Sequence, residues 1–313
     1  MEKSNLTFFI IKGISDNPDL QPSIFLMVLI IYLFSLCGNL TIIILVILDS
    51  HLYTPMYFFL CNLSIMDLSS ITTSLQKVLF IFLTGNNIIY FPACITQFYL
   101  FASFSGCQLF ILAAMGYDRY VAICNPLRYQ MVMNQKVCVV LATLCWVMGF
   151  LQVIPTTWLL SNFSCYRSNE INHFFCDIVP LLAITCSDTS VLELYIRTGG
   201  FLIGGFIPFN LTIISYIFIV MTILKIRSST GRRKAIFTCS SHLTVVILLY
   251  LTLFCQYLTP VSTEKLGAKK FSSLINTAAV PVLNPLIYSL KNKDVKSALK
   301  RNLKTCKSVI SML

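Results

Sequence analysis

Apolar runs longer than about 18 residues recur along this chain, separated by short polar or basic segments. Runs of that length predict membrane-spanning helices. The first is predicted from about Ser23 to Leu48; at ~1.5 Å per residue it is about 39 Å long, enough to span with tilt. The second starts near Pro55, whose missing N–H suits a helix start, and runs to about Leu83. The third runs from Cys94 to about Ile123, the fourth from Val137 to Leu160 and the fifth from Tyr195 to Leu224, with Pro208 expected to break its hydrogen bonding. The sixth is predicted from Ala235 to Leu258 and the seventh from Ser272 to Leu290. Lys291 to Lys307 reads as a basic amphipathic helix on the inner leaflet. The expected fold is therefore an all-α membrane protein, a seven-transmembrane helix bundle with a short amphipathic eighth helix. It forms one domain over residues 1–313: an outer N-terminus at 1–22, the helices at 23–290 and a cytoplasmic tail at 291–313.

Composition supports this reading. The chain has 313 residues, 57% hydrophobic and only 11% charged, against about 25% charged in ordinary globular domains. The net charge of +11 lies on one side. There, fifteen lysines and arginines face three acids (Asp49, Asp118 and Asp294), whereas the opposite side carries eight of each sign. The positive-inside rule makes the basic side cytoplasmic. Topology and anionic headgroups then account for a charge that would otherwise suggest nucleic acid. Residues 1–22 lack the pattern of a cleaved secretory signal, so the first helix is expected to act as an uncleaved signal anchor, with the N-terminus outside.

Few residues inside the membrane are polar, which makes each of them a candidate. Asp67, mid-helix, is a functional-site hypothesis by default; Asn39 and Asn284 are its expected neighbours, and a cluster that only sets packing is the plainer alternative. Asp118 and Arg119 close the third helix. Arg119 either snorkels to the headgroups or forms a latch with Asp118 and turns to a cytoplasmic partner when released. Pro285 frees a carbonyl that Asn284 or water can satisfy, giving a hinge. His242 is a candidate pH sensor, but a hydrogen-bonded structural histidine near the cytoplasmic mouth is the plainer reading. Of 13 cysteines, Cys94, Cys165, Cys176 and Cys186 face the oxidising side, and four cysteines allow three pairings. No Cys/His spacing suggests zinc. Asn5 opens a glycosylation sequon on the outer side, and Asn162 opens another close to the membrane.

Longer strings narrow the class. Met115-Gly116-Tyr117-Asp118-Arg119-Tyr120-Val121-Ala122-Ile123-Cys124, followed by Asn125-Pro126-Leu127-Arg128-Tyr129, resembles the end of the third helix in rhodopsin-like G-protein-coupled receptors, and more narrowly in odorant receptors. Leu52 to Leu60, Asn172 to Asp177, Lys234 to Leu243 and Asn284-Pro285-x-x-Tyr288 are similar to the same family. The resemblance implies disulfides Cys94–Cys176 and Cys165–Cys186, and activation through Asp118, Arg119, Tyr120, Tyr216, Asn284, Pro285 and Tyr288. It also implies a polar core of Asn39, Asp67, Asn284 and the residue at Gln108. Odorant receptors usually have an acid at that last place and related receptors bind sodium at the aspartate; with Gln108 here, no metal is assigned.

An outer pocket is expected between helices three, five, six and seven. Helix three would contribute Phe101, Ala102, Ser105 and Gly106, and helix five Gly200, Phe201 and Gly204. Helix six would contribute Tyr250, Leu253, Phe254 and Tyr257, and helix seven Leu274 and Thr277. Ordinary helix packing is the plainer reading of any single one. No acid stands at Phe101 to pair an amine, and Ala278 stands where a retinal lysine would be. The set suits a small, mostly apolar volatile molecule. About ten heavy atoms at ~0.6 kcal/mol each correspond to a Kd of order tens of micromolar. The resemblance implies a heterotrimeric G protein of the stimulatory or olfactory type, a rise in cyclic AMP, and residence in the plasma membrane, in the sensory cilia of olfactory neurons. Membrane lipid and arrestin complete the expected partners; no cofactor and no covalent catalysis are expected. A rhodopsin-like receptor for a lipid or non-volatile chemical is the alternative. A transporter lacks an internal repeat and a row of buried charges, and an intramembrane enzyme lacks a nucleophile or metal set.

Overall fold

The computed structural model describes residues 7–15, 17–257, 266–291 and 293–310. Among them, six helices have the length and composition to cross a membrane, and a seventh carries the shorter apolar stretch Ser273–Ile287. We label the helices α1 (Gln21–Leu48), α2 (Pro55–Thr84), α3 (Phe91–Cys124), α4 (Gln135–Ser161), α5 (Ser190–Lys225), α6 (Ser229–Tyr257), α7 (Leu266–Lys291) and α8 (Lys293–Ile310).

Local chemistry sets several boundaries. Pro22 stands at the start of α1 and Pro55 at the start of α2, where no intrahelical N–H is required. Gly85 ends α2 in the left-handed conformation, at φ 71°. The Asn134 side chain accepts from the Val137 N–H and caps α4. α6 and α7 start several residues before their apolar runs, because polar loop residues continue the helix.

Two spanning helices are irregular. α4 runs as Gln135–Leu151, breaks at Gln152–Val153 and resumes as Ile154–Ser161 with Pro155 in its first turn. α5 is wound as a π-helix over Ile196–Phe206 before regular helix resumes at Ile207. The irregularity expected at Pro208 therefore lies on its N-terminal side, and Pro208 itself occupies the first turn of regular helix, where it costs little.

Outside the membrane the fold is not purely helical. A three-stranded sheet joins β1 (Phe8–Ile11), β2 (Ile88–Tyr90) and β3 (Glu170–Ile171), with β1 in the centre. β1 pairs antiparallel with β2 (Phe9 opposite Ile89) and parallel with β3 (Ile11 opposite Ile171). Phe9 and Ile11 are fully buried beneath it. The long outer loop continues into a short helix, Ile178–Ile184.

α3 runs through the middle of the bundle, packed on α2, α4 and α5. A methyl group on Gly149 of α4 would overlap the Cys107 backbone, so the absence of a side chain lets α3 and α4 touch. The Trp146 Nε1–H donates to Asn62 Oδ1 at 3.0 Å, tying α4 to α2. α8 buries Val295 and Ala298 and is held to the first inner loop: Arg301 donates to Asp49 Oδ2 from Nη2 at 2.7 Å and from Nε at 3.0 Å. Desolvation raises the Asp49 carboxyl, but hydrogen bonds from Arg301 and His51 outweigh it and leave it below the usual carboxylate range.

Candidate functional site

At the inner end of α3, Asp118 is fully buried and Arg119 donates to its Oδ2 at 2.8 Å. The other oxygen accepts from the Tyr129 hydroxyl at 2.8 Å. Tyr129 comes from the second inner loop, and the spacing of charges along α3 gave no signal for it. Its phenol is raised by desolvation and by the Asp118 charge beside it, so it stays a donor. Tyr120 packs on Phe218 of α5 at 5.7 Å between ring centroids.

A second chain of hydrogen bonds crosses the same level. His242 Nε2 lies 3.1 Å from the Leu112 carbonyl and its Nδ1 lies 2.8 Å from the Tyr216 hydroxyl. A carbonyl only accepts, so Nε2 carries a proton; the Tyr216 hydroxyl has two neighbours for its single hydrogen, Nδ1 and the Cys239 carbonyl at 3.2 Å. Helices α3, α5 and α6 are thereby linked through one imidazole. The Tyr288 side chain, expected beside this network, lies outside the described residues.

The expected polar core divides in two. Asp67 Oδ1 accepts from Gln108 Nε2 and Oδ2 from Asn284 Nδ2, each at 2.8 Å. Asn39 is elsewhere: its Nδ2 donates to the Pro281 carbonyl at 2.9 Å, and the Ser35 hydroxyl donates to the same oxygen at 3.1 Å. Pro285 explains this. Lacking an N–H, it leaves the carbonyl four residues back without its helical partner. That carbonyl is satisfied from α1, not by Asn284. Gly38 completes the joint, since a methyl group there would lie 2.9 Å from Pro285 Cγ.

The outer half is filled from above. Cys94–Cys176 and Cys165–Cys186 are bridged, with Cα–Cα separations of 5.4 and 5.2 Å. The Cys176 N–H donates to Gln97 Oε1 at 3.0 Å and fixes the loop on α3. Phe174 and Phe175 then descend fully buried, and Phe175 meets Phe101 edge-on at 4.7 Å. Burial beside them pushes the His173 pKa down to about 3. Asp177 accepts from Gln256 Nε2 at 2.8 Å, and a cavity of about 20 Å³ remains between Asn172, Asp177, Pro180 and Ser273.

The expected pocket residues are consequently scattered. Phe101 and Leu274 share a cluster with Phe174 and Phe175, while Ala102 packs under the outer sheet. Ser105 and Gly200 are partly buried, and Leu253 packs on the main core. Tyr250 and Thr277 each bury a hydroxyl that has no partner among the described residues. Phe201 and Phe254 are corrections: at 46% and 58% exposure they face outward, to where lipid lies, because each falls on the far side of its helix. Gly106 and Gly204 both adjoin Gln152 of α4, a residue the apolar pattern did not single out. The Tyr257 side chain and Asn5 lie outside the described residues. Among the described residues, no group of three or more metal-binding side chains occurs.

A family model described as olfactory receptor matches residues 28–306. The chain is 46% identical over 307 residues to olfactory receptor 5AR1 of Mus musculus, covering 96% of this chain and 98% of that protein. It is 44% identical over 313 residues to olfactory receptor 5B12 of Homo sapiens, covering 99% and 98%.

Proposed function

The chain belongs to the olfactory receptor family, and on that premise we propose how it carries a signal from an odorant to a G protein. It is a multi-pass odorant receptor of the plasma membrane, not an enzyme. Residues 1–313 act as one receptor domain, working in the sensory cilia of olfactory neurons. A small volatile molecule enters the outer half of the bundle, where the unpartnered hydroxyls of Tyr250 and Thr277 offer it polar contacts. Ser105, Gly200 and Leu253 line its apolar surroundings.

The observation that carries this reading is the closed Asp118–Arg119 pair, 2.8 Å apart at the cytoplasmic end. A buried pair stays closed only while its geometry holds. A ligand that binds the open arrangement more tightly shifts the population toward it. α6 then moves outward, the link from His242 to Tyr216 parts, and Arg119 is freed for the α subunit of a stimulatory or olfactory-type G protein, raising cyclic AMP. Asn284, Pro285 and Tyr288 carry the motion along α7. Amide N–H groups of Gln108 and Asn284 hold one oxygen each of Asp67. The exposed Lys296, Lys300 and Lys304 of α8 suit anionic headgroups of the inner leaflet, and arrestin docks on the same opened face. Asn5 carries the outer sugar.

The test is cyclic AMP in cells expressing the chain with an olfactory-type α subunit, challenged with odorant mixtures, with surface display measured alongside. A response in wild type that vanishes in displayed Arg119→Ala supports the latch. An equal response from that variant refutes it.

A further inference from the structure

Gln152 stands at the break in α4, and its surroundings are built around its side-chain amide. Its main-chain carbonyl accepts from the Tyr195 hydroxyl of α5 at 3.1 Å, which fixes the backbone. The side chain lies between α3 and α5. Its Nε2 occupies the space a methyl group on Gly106 would take, and its Oε1 the space of a methyl group on Gly204. Two glycines on two helices thus make room for one amide. Its Oε1 is fully buried and has no hydrogen-bond donor among the described residues, and no described residue pairs with Nε2. An orphaned buried acceptor is rare and calls for an explanation. The segment of α5 facing it is the π-helical Ile196–Phe206, a rare winding that frequently occurs at functional sites.

Resting on the odorant-receptor reading, we propose that the Gln152 amide anchors the polar group of the odorant and selects small alcohols over ethers. A hydroxyl matches a primary amide on both counts: it donates to Oε1 and accepts from the Nε2–H. An ether accepts only, and leaves Oε1 as orphaned as before. Sites built to hydrogen-bond a hydroxyl reject analogues that lack it, because the site's own polar group stays unpaired. One such mismatch corresponds to a preference of about ten- to a hundredfold.

The probes are straight-chain primary alcohols of four to ten carbons, each paired with the methyl ether of equal heavy-atom count. Dose–response curves are taken for wild type, Gln152→Leu and Gly204→Ala, alongside thermal-shift measurements on purified wild type. In wild type we expect the alcohol to act at about ten- to a hundredfold lower concentration than its ether, and to stabilise the purified protein more. Gln152→Leu should erase the preference by weakening the alcohol while sparing the ether. Gly204→Ala, which crowds the amide, should reduce it. Equal potency of the pair in wild type, or an intact preference in displayed Gln152→Leu, overturns the proposal. So does a receptor that answers other odorants but no alcohol. If Gln152→Leu fails to reach the surface, the wild-type thermal shift decides: no excess stabilisation by alcohol over ether refutes the anchor. Stabilisation by alcohol with no cyclic AMP response to any odorant would leave the anchor standing and sink the coupling reading instead.

Discussion

Single side chains decide how firmly the inner end is shut. Asp118 and Arg119 are adjacent in sequence, so their pairing was legible. Tyr129 was not: it lies eleven residues on, past the helix end, and only the turn of the inner loop brings its hydroxyl to Asp118. Hydrogen bonds to charged groups contribute about 1.5–3 kcal/mol. Tyr129→Phe should therefore loosen the closed state and raise ligand-independent cyclic AMP per displayed receptor by about tenfold or more, up to saturation; an unchanged baseline would show that Tyr129 does not restrain the latch. His173 makes a prediction about pH. Its folded pKa of about 3 lies below the ordinary 6.5, so the unfolded loop binds the proton first as pH falls. The contribution is fully present above pH 6.5 and is lost progressively from there toward 3. At pH 5 the loss is about 2 kcal/mol. Purified receptor should melt at lower temperature at pH 5 than at pH 7.5, and His173→Gln should flatten that dependence.

Whole helices were the easiest elements to foresee, because a spanning run of apolar residues has few alternatives. Their irregularities were hidden. Pro155 is compatible with a helix that ends, kinks or restarts, and the sequence of α5 shows several glycines without showing which hydrogen bonds they shift. The joint between α1 and α7 was half legible. Pro285 announced a freed carbonyl, but Asn39 looked like a partner for Asp67, since residue chemistry alone does not say which way a side chain on α1 faces. The actual contact gives an element-scale prediction. Replacing both Ser35 and Asn39 with Ala leaves the Pro281 carbonyl orphaned, at a cost of about 1–3 kcal/mol, and Gly38→Ala overpacks the same joint by a similar amount. Either change should lower the melting temperature by several degrees with odorant potency little changed. A normal melting curve would mean α1 and α7 are held elsewhere.

At the level of the molecule, the two faces are closed by different means. The inner face is closed by side-chain contacts. The outer face is closed by a sheet, two disulfides and a loop whose aromatic rings fill the bundle. Neither the sheet nor the aromatic plug was legible: four apolar residues in an otherwise mixed leader have no meaning until their partners, some 80 and 160 residues away, are known. Ile10→Pro removes the donor of the 2.7 Å bond from Ile10 N–H to the Asn169 carbonyl in the central strand. It should lower both surface display and melting temperature; normal values for both would make the sheet ornamental.

The order of synthesis turns that sheet into a clock. β1 leaves the ribosome first, yet its far neighbour β3 ends at Ile171. At about 5–20 residues per second, roughly ten to thirty seconds separate the two, during which α1 through α4 enter the bilayer. β2 emerges about 80 residues after β1 and can pair with it, but the third strand, which lies opposite Ile11, is still to be made. The central strand of the outer sheet is therefore made about 160 residues before the strand that completes it, and α5 to α8, which complete the inner face, follow later still.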